Sequence, residues 1–131
     1  MHRIRTNEVK PMKNYILETC VDCVESAIAA QEGGADRVEL CSDLVIGGVS
    51  PSVPLFRQIR KYTDLKIRTL LRPRYGDYCF SSYECDELNE EIAIFREEGA
   101  DGVVVGILNP DGTLNTGQLA RFKETAGDME I

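Results

Sequence analysis

The sequence has no long hydrophobic run and little positive charge. No apolar stretch approaches the roughly 20 residues that span a membrane, and residues 1–13 lack the apolar segment of a signal peptide. The chain has 15 Lys and Arg against 22 Asp and Glu, which gives a net charge of −7. This charge disfavours a nucleic-acid partner, which requires a basic stripe. The single histidine, His2, lies in residues 1–13, which we expect to be a disordered tail. We therefore predict a cytoplasmic protein with no membrane or nucleic-acid partner.

Cysteine is present but unsuited to a disulfide framework. The chain has five cysteines, an odd number, without a secretory context, which favours reduced thiols. With 43% hydrophobic residues the chain has enough apolar content for a core.

A βαβ unit is predicted around Cys20 and Cys41. Each closes a short strand pattern, residues 15–20 and 36–41, with an amphipathic helix between them. Because strand side chains alternate between faces, Glu18 and Cys20 share one face, and Glu39 and Cys41 share one face of the next strand. Buried parallel strands are normally apolar on both faces. Two carboxylates and two thiols on one face therefore indicate a site.

The pattern repeats along the chain. Gly-Ala-Asp occurs at 34–36 and again at 99–101, a spacing close to two of the ~31-residue units of a (β/α)8 barrel. Further strands are predicted at 66–71 and 102–108, and residues 129–131 resemble the start of a fifth. The predicted class is α/β, with residues 14–131 forming the N-terminal half of a TIM barrel.

Each predicted helix has a start signal. Asp22 with Glu25, and Ser81 with Glu84, have the spacing of a capping box. The second helix is predicted to begin at Ser50, followed by Pro51 in its first turn, and a fourth is predicted over 115–126.

Five segments closely resemble the copper homeostasis protein CutC family, in order and without large gaps. They are Glu-Thr-Cys-Val-Asp-Cys-Val-Glu-Ser-Ala (18–27), Glu-Gly-Gly-Ala-Asp-Arg-Val-Glu-Leu-Cys-Ser (32–42), Gly-Gly-Val-Ser-Pro-Ser (47–52), Leu-Arg-Pro-Arg-Tyr-Gly-Asp-Tyr (71–78) and Gly-Ala-Asp-Gly-Val-Val-Val-Gly (99–106). The resemblance implies a cytoplasmic TIM barrel, often oligomeric, that binds copper through cysteines matching Cys20 and Cys41. Cys23 departs from the family's usual serine, and the family's second barrel half, with its Thr-Phe-His-Arg stretch, has no counterpart here.

Four units form half a barrel with open edge strands and an uncovered inner face. Either two halves pair to close a barrel, or the chain is truncated. Truncation is favoured because the sequence stops within a predicted strand. The exposed edges predict a homo-oligomer.

Three functional hypotheses follow. In the first, Cys20 and Cys41 bind Cu(I), since neighbouring strands lie ~4.8 Å apart and soft thiolates select Cu(I) or zinc; the alternative is a pair of buried structural cysteines. In the second, Cys20 and Cys23 form a redox pair at a helix N-terminus, against the alternative that Cys23 is an incidental replacement of serine. Cys79 and Cys85 are expected to be ordinary exposed or half-buried thiols.

The third hypothesis is an enzyme of unknown reaction. Arg68 and Arg72 have the parity to face inward and to neutralise Glu18 and Glu39. Arg74 and Asp77 follow strand three on the same rim, which could accommodate an anionic ligand. Barrel enzymes place their sites at the carboxyl ends of strands. A structural network of ion pairs is the alternative, and among the three hypotheses the resemblance favours copper binding.

Overall fold

The computed structural model describes residues 13–131. Four β-strands alternate with four α-helices, in chain order: β1 (Glu18–Val21), α1 (Val24–Glu32), β2 (Arg37–Leu40), α2 (Val53–Tyr62), β3 (Lys66–Leu70), α3 (Ser82–Glu97), β4 (Gly102–Val104) and α4 (Thr116–Ala126). A 3-10 turn, Leu44–Ile46, lies between β2 and α2. The predicted tail falls outside the described residues except for Lys13, whose Nζ lies 3.5 Å from Asp36 Oδ2.

The four strands form one parallel sheet in the order β1-β2-β3-β4. Strand order therefore equals chain order, as in the repeating unit of a (β/α)8 barrel. The predicted fifth strand begins as a single parallel bridge between Gly102 and Glu130, beside β4. No helix in the described part of the chain is long and apolar enough to cross a membrane.

One face of the sheet packs against the helices and forms the core. Val21, Val38, Leu40, Ile67 and Val103 point to this side and are almost completely buried. On the helices, Phe56 and Phe95 meet edge to face with ring centroids 5.7 Å apart. This burial of apolar side chains is the main force that holds the helices on the sheet.

The opposite face carries polar and reactive side chains. The strand register aligns Cys20, Glu39, Arg68 and Gly102 in one row across the sheet. In a closed barrel this face would line the interior. The alternation predicted from the sequence therefore places Glu18, Cys20, Glu39 and Arg68 on the inner face.

The helix starts agree only in part with the prediction. Ser81 caps α3 with both hydrogen bonds of the capping box to Glu84, as predicted. The predicted start of α2 at Ser50 is wrong, because Ser52 caps this helix and accepts a hydrogen bond from Leu55 N at 3.2 Å. Asp22 does not cap α1; Cys23 occupies that position without a side-chain cap.

Candidate functional site

Cys20 and Cys41 lie at the carboxyl ends of β1 and β2, on the inner face. Cys20 is opposite Glu39 in the register, so Cys41, two residues further along, is its diagonal neighbour. Strand geometry then puts the two Cα atoms about 8 Å apart, within reach of side chains that converge on one ion. The ~4.8 Å spacing expected from the sequence is therefore that between Cys20 and Glu39 rather than between the two thiols.

The two thiols differ in exposure and in their contacts. Cys20 is exposed, and its Sγ donates to Glu39 Oε2 at 3.8 Å. Cys41 is buried, and its Sγ donates to the backbone oxygen of Glu39 at 3.7 Å. Glu39 therefore contacts both cysteines, one through its side chain and the other through its backbone.

The surroundings of Cys20, Glu39 and Cys41 favour the neutral forms of these three groups. Burial raises the pKa of the Cys41 thiol to about 12, and the negative charge of Glu39 adds to the shift. Burial, followed by the charge of Glu39, also raises the pKa of Cys20. The pKa of Glu39 itself is raised by burial and by Glu18. Both thiols therefore carry their protons at neutral pH, and a metal would have to displace them.

Glu18 and Arg68 form ion pairs with residues that were not among the predicted site residues. Glu18 forms an ion pair with Arg37, and Arg68 with Glu130. Arg37 shares the parity of Glu39 and Cys41 along β2, so the alternation carried a signal for it. Glu130 lies beside β4, far from Arg68 in the sequence. Their pairing depends on the assembled sheet.

Arg72 lies away from the carboxylates that it was expected to neutralise. Its guanidinium donates to the backbone oxygens of Gly48 at 3.1 Å and Gly76 at 2.7 Å, and stacks on Tyr78 with 4.9 Å to the ring centroid. The reason is its position beyond the end of β3, where the chain has left the sheet. Of the two predicted arginines, only Arg68 stands beside Glu39.

Arg74 and Asp77 bind each other within the loop after β3. Arg74 Nη2 lies 3.1 Å from Asp77 Oδ1, and Arg74 Nε lies 2.7 Å from Glu84 Oε1. The hydrogen bond from Arg74 holds the pKa of Asp77 below its usual value. This pair stabilises the loop, and its charges are already matched to each other.

The other three cysteines make contacts that do not involve Cys20 or Cys41. Cys23 Sγ lies 3.2 Å from Ser26 Oγ, within the first turn of α1. Cys79 is half-buried as expected, whereas Cys85, in the first turn of α3, is buried in the core, which corrects the expected exposure. All five cysteines lie within the described residues and are free thiols.

A cavity of about 410 Å³ opens at the other end of the strands, near their amino termini. Arg37, Lys66, Arg68, Asp101 and Glu130 are among the residues that line it. The lining is rich in charges of both signs. Within residues 13–131, no group of three or more His, Cys, Asp and Glu side chains is arranged to hold a metal ion.

Known proteins resemble this chain over most of its length. The copper homeostasis protein cutC homolog of Drosophila melanogaster is 40% identical over 126 residues, which are 94% of this chain and 48% of the relative. The human homolog of the same name is 37% identical over 113 residues, 86% of this chain and 41% of the relative. The chain thus spans about half the length of the curated relatives it matches.

Solved structures share the fold. A CutC protein from Streptococcus agalactiae matches with a TM-score of 0.81 and 23% identity, over 87% of this chain and 56% of that one. A phosphonomutase-like protein from Burkholderia cenocepacia matches with a TM-score of 0.58 and 23% identity, over 85% of this chain and 46% of that one. The predicted TIM-barrel class is confirmed. Since the CutC family profile matches residues 15–131, the chain belongs to the CutC family.

Proposed function

We propose that this chain binds Cu(I) through Cys20 and Cys41 and serves in copper homeostasis. The observation that carries the proposal is the placement of two thiols on one face of the sheet, at the carboxyl ends of neighbouring strands. Thiolate sulfur is a soft ligand that prefers Cu(I) to hard cations. The names of the relatives, which refer to copper homeostasis, point to the same metal.

Glu39 adds an electrostatic argument. When Cu(I) displaces the two thiol protons, two thiolates and one positive ion leave a net negative charge next to a carboxyl group. Burial and the charge of Glu18 raise the pKa of Glu39, so its negatively charged form is less favoured there than in solution. The neighbouring Arg68 offsets this negative charge.

The proposal predicts a specific effect of two serine substitutions. Cys20→Ser and Cys41→Ser should each abolish tight binding in a Cu(I) titration against a competing chelator, because one thiolate alone cannot hold the ion as two can. Cys79→Ser is the matched control and should bind as the unmodified chain does, since its Sγ lies instead 3.5 Å from Asn109 O. Unchanged affinity in the Cys20→Ser/Cys41→Ser double variant would refute the assignment.

A second candidate is an enzyme that uses the polar inner face. Glu39 favours it, since a carboxyl group with a raised pKa beside an arginine and a thiol is the kind of cluster that active sites contain. Its location at the carboxyl end of the strands is where barrel enzymes act. This candidate would be favoured if the double variant kept its Cu(I) affinity unchanged and if an anionic metabolite stabilised the unmodified chain but not the Glu39→Gln variant.

A further inference from the structure

The loop after β2 covers Cys41. Ser42 and Val49 exchange backbone hydrogen bonds of 2.9 Å each, which close residues 42–49 into a hairpin. Gly48 in this hairpin lies so close to Cys41 that an added Cβ would be 3.6 Å from its Sγ. Cys41 is only 2% exposed. Access to this thiol therefore requires movement of the hairpin.

Arg72 ties the hairpin to the loop after β3. Its Nη1 donates to Gly48 O, and its Nη2 donates to Gly76 O. Next to the hairpin, Ser50 N donates to Arg72 O at 2.9 Å and Arg72 N donates to Ser50 Oγ at 2.9 Å. Three of these hydrogen bonds join Arg72 to Gly48 and Ser50, and the fourth, to Gly76, lies within the loop after β3 itself.

The surroundings of Arg72 argue that this connection is its role. The residue is only 7% exposed, and within the described part of the chain no carboxylate lies within ion-pair distance of it. Its Nε has no hydrogen-bond partner there either. A buried guanidinium is destabilised if it loses its hydrogen-bond acceptors. The hydrogen bonds to the carbonyls of Gly48 and Gly76 therefore fix the position of Arg72 and of both loops.

We propose that Arg72 is a positioning residue that latches the 42–49 hairpin over Cys41, so that this thiol reacts only when the latch opens. Cys20 is exposed in the described part of the chain and needs no such opening. Applied to Cu(I), which rests on the proposed function, the arrangement makes Cys20 the first contact and Cys41 the second ligand. Local openings of this kind are set by few interactions and are sensitive to the loss of one.

The latch is tested by alkylation, which needs no copper. The unmodified chain and Arg72→Ala are treated with iodoacetamide, and the rate at each cysteine is followed by mass spectrometry. Loss of the charged hydrogen bonds should raise the rate at Cys41 about ten-fold or more. Two other cysteines serve as internal references. The alkylation rate at the exposed Cys20 measures the reactivity of the reagent. The rate at the core residue Cys85, which is 6% exposed, measures global unfolding.

Arg74→Ala is the matched control, because this arginine lies in the same loop and bonds to residues 75–84 rather than to the hairpin. It should leave the Cys41 rate unchanged. The latch is refuted if Arg72→Ala does not accelerate Cys41, if Cys85 accelerates by the same factor, or if Arg74→Ala has an equal effect. Should Arg72→Ala not fold, Arg72→Lys keeps the charge but loses the forked pair of donors, and the same readings apply.

The latch and the copper proposal fail separately. A failed Cu(I) titration with accelerated alkylation in Arg72→Ala would leave the latch standing. Unchanged alkylation with intact copper binding would refute the latch alone.

Discussion

At the scale of single residues, Glu39 is the centre of the inner face. It stands beside Cys20 and Arg68 in the register, and Glu18 lies near enough to raise its pKa. The alternation of strand side chains is enough to predict that these residues share a face. The stagger between β1 and β2 is not encoded in either strand alone, which explains why the diagonal arrangement of Cys20 and Cys41 was not foreseen.

The raised pKa of Glu39 predicts an unusual dependence of stability on pH. The folded chain holds this proton more tightly than the unfolded chain does, so the contribution of Glu39 to the free energy of unfolding falls as pH rises from its ordinary pKa through its raised folded value. The free energy of unfolding of Glu39→Gln, minus that of the unmodified chain, should therefore increase over that pH range and stay constant above it. The gain should stay below about 1 kcal/mol, because Glu39 is partly solvated.

Urea unfolding at a series of pH values checks this, and Glu18→Gln is the comparison. Glu18 and Arg37 are 24% and 23% exposed, so loss of their pair should lower the free energy of unfolding by about 0.2–1 kcal/mol rather than by the larger cost of a fully buried pair. A Glu39→Gln variant that is less stable at pH 7 than the unmodified chain would contradict the argument.

At the scale of elements, local signals predicted a helix start correctly when no distant group competed for the capping residue. The hydrogen bonds of Ser81 in the described part of the chain are to its own helix, and Ser81 caps α3. Ser50 instead bonds to the backbone of Arg72, and its Oγ lies 2.8 Å from Glu91 Oε2, so Ser52 becomes the cap of α2. Asp22 accepts from Leu44 N at 3.4 Å. These distant contacts cannot be read from the neighbouring sequence.

The cap of α3 gives a prediction at this scale. Ser81→Ala should lower the free energy of unfolding by about 1 kcal/mol, because the backbone N–H of Glu84 loses its acceptor. Ser82→Ala, one residue further and exposed, removes no capping group and should change stability much less. Denaturant unfolding of both variants measures the difference. Equal losses would show that the capping box contributes nothing to stability.

At the scale of the whole molecule, the sheet has helices on one face and a polar, partly open surface on the other. The chain order of strands, and hence the barrel class, follows from the repeated strand and helix pattern. Ion-pair partners such as Glu130 depend on the assembled sheet and were not predictable from that pattern. Tyr15, Ile16 and Leu17, just before the edge strand β1, are 68%, 62% and 44% exposed. An open edge next to exposed apolar side chains favours pairing between chains.

We therefore predict concentration-dependent self-association. The weight-average mass from analytical ultracentrifugation should rise with concentration, and Ile16→Lys should reduce this rise by placing a charge beside the open edge. Tyr83→Lys replaces another exposed apolar side chain, 85% exposed on α3, and should have little effect. A monodisperse monomer over the whole concentration series would contradict the prediction.

The agreement between strand order and chain order also bears on how the molecule folds. Each strand pairs with the strand that precedes it, and only one helix and its two loops separate the members of each pair. The entropy lost in closing such a loop grows only slowly with its length. Every strand pairing in the sheet is therefore local in the chain, which lowers the contact order and favours faster folding than in a sheet that joins strands distant in sequence.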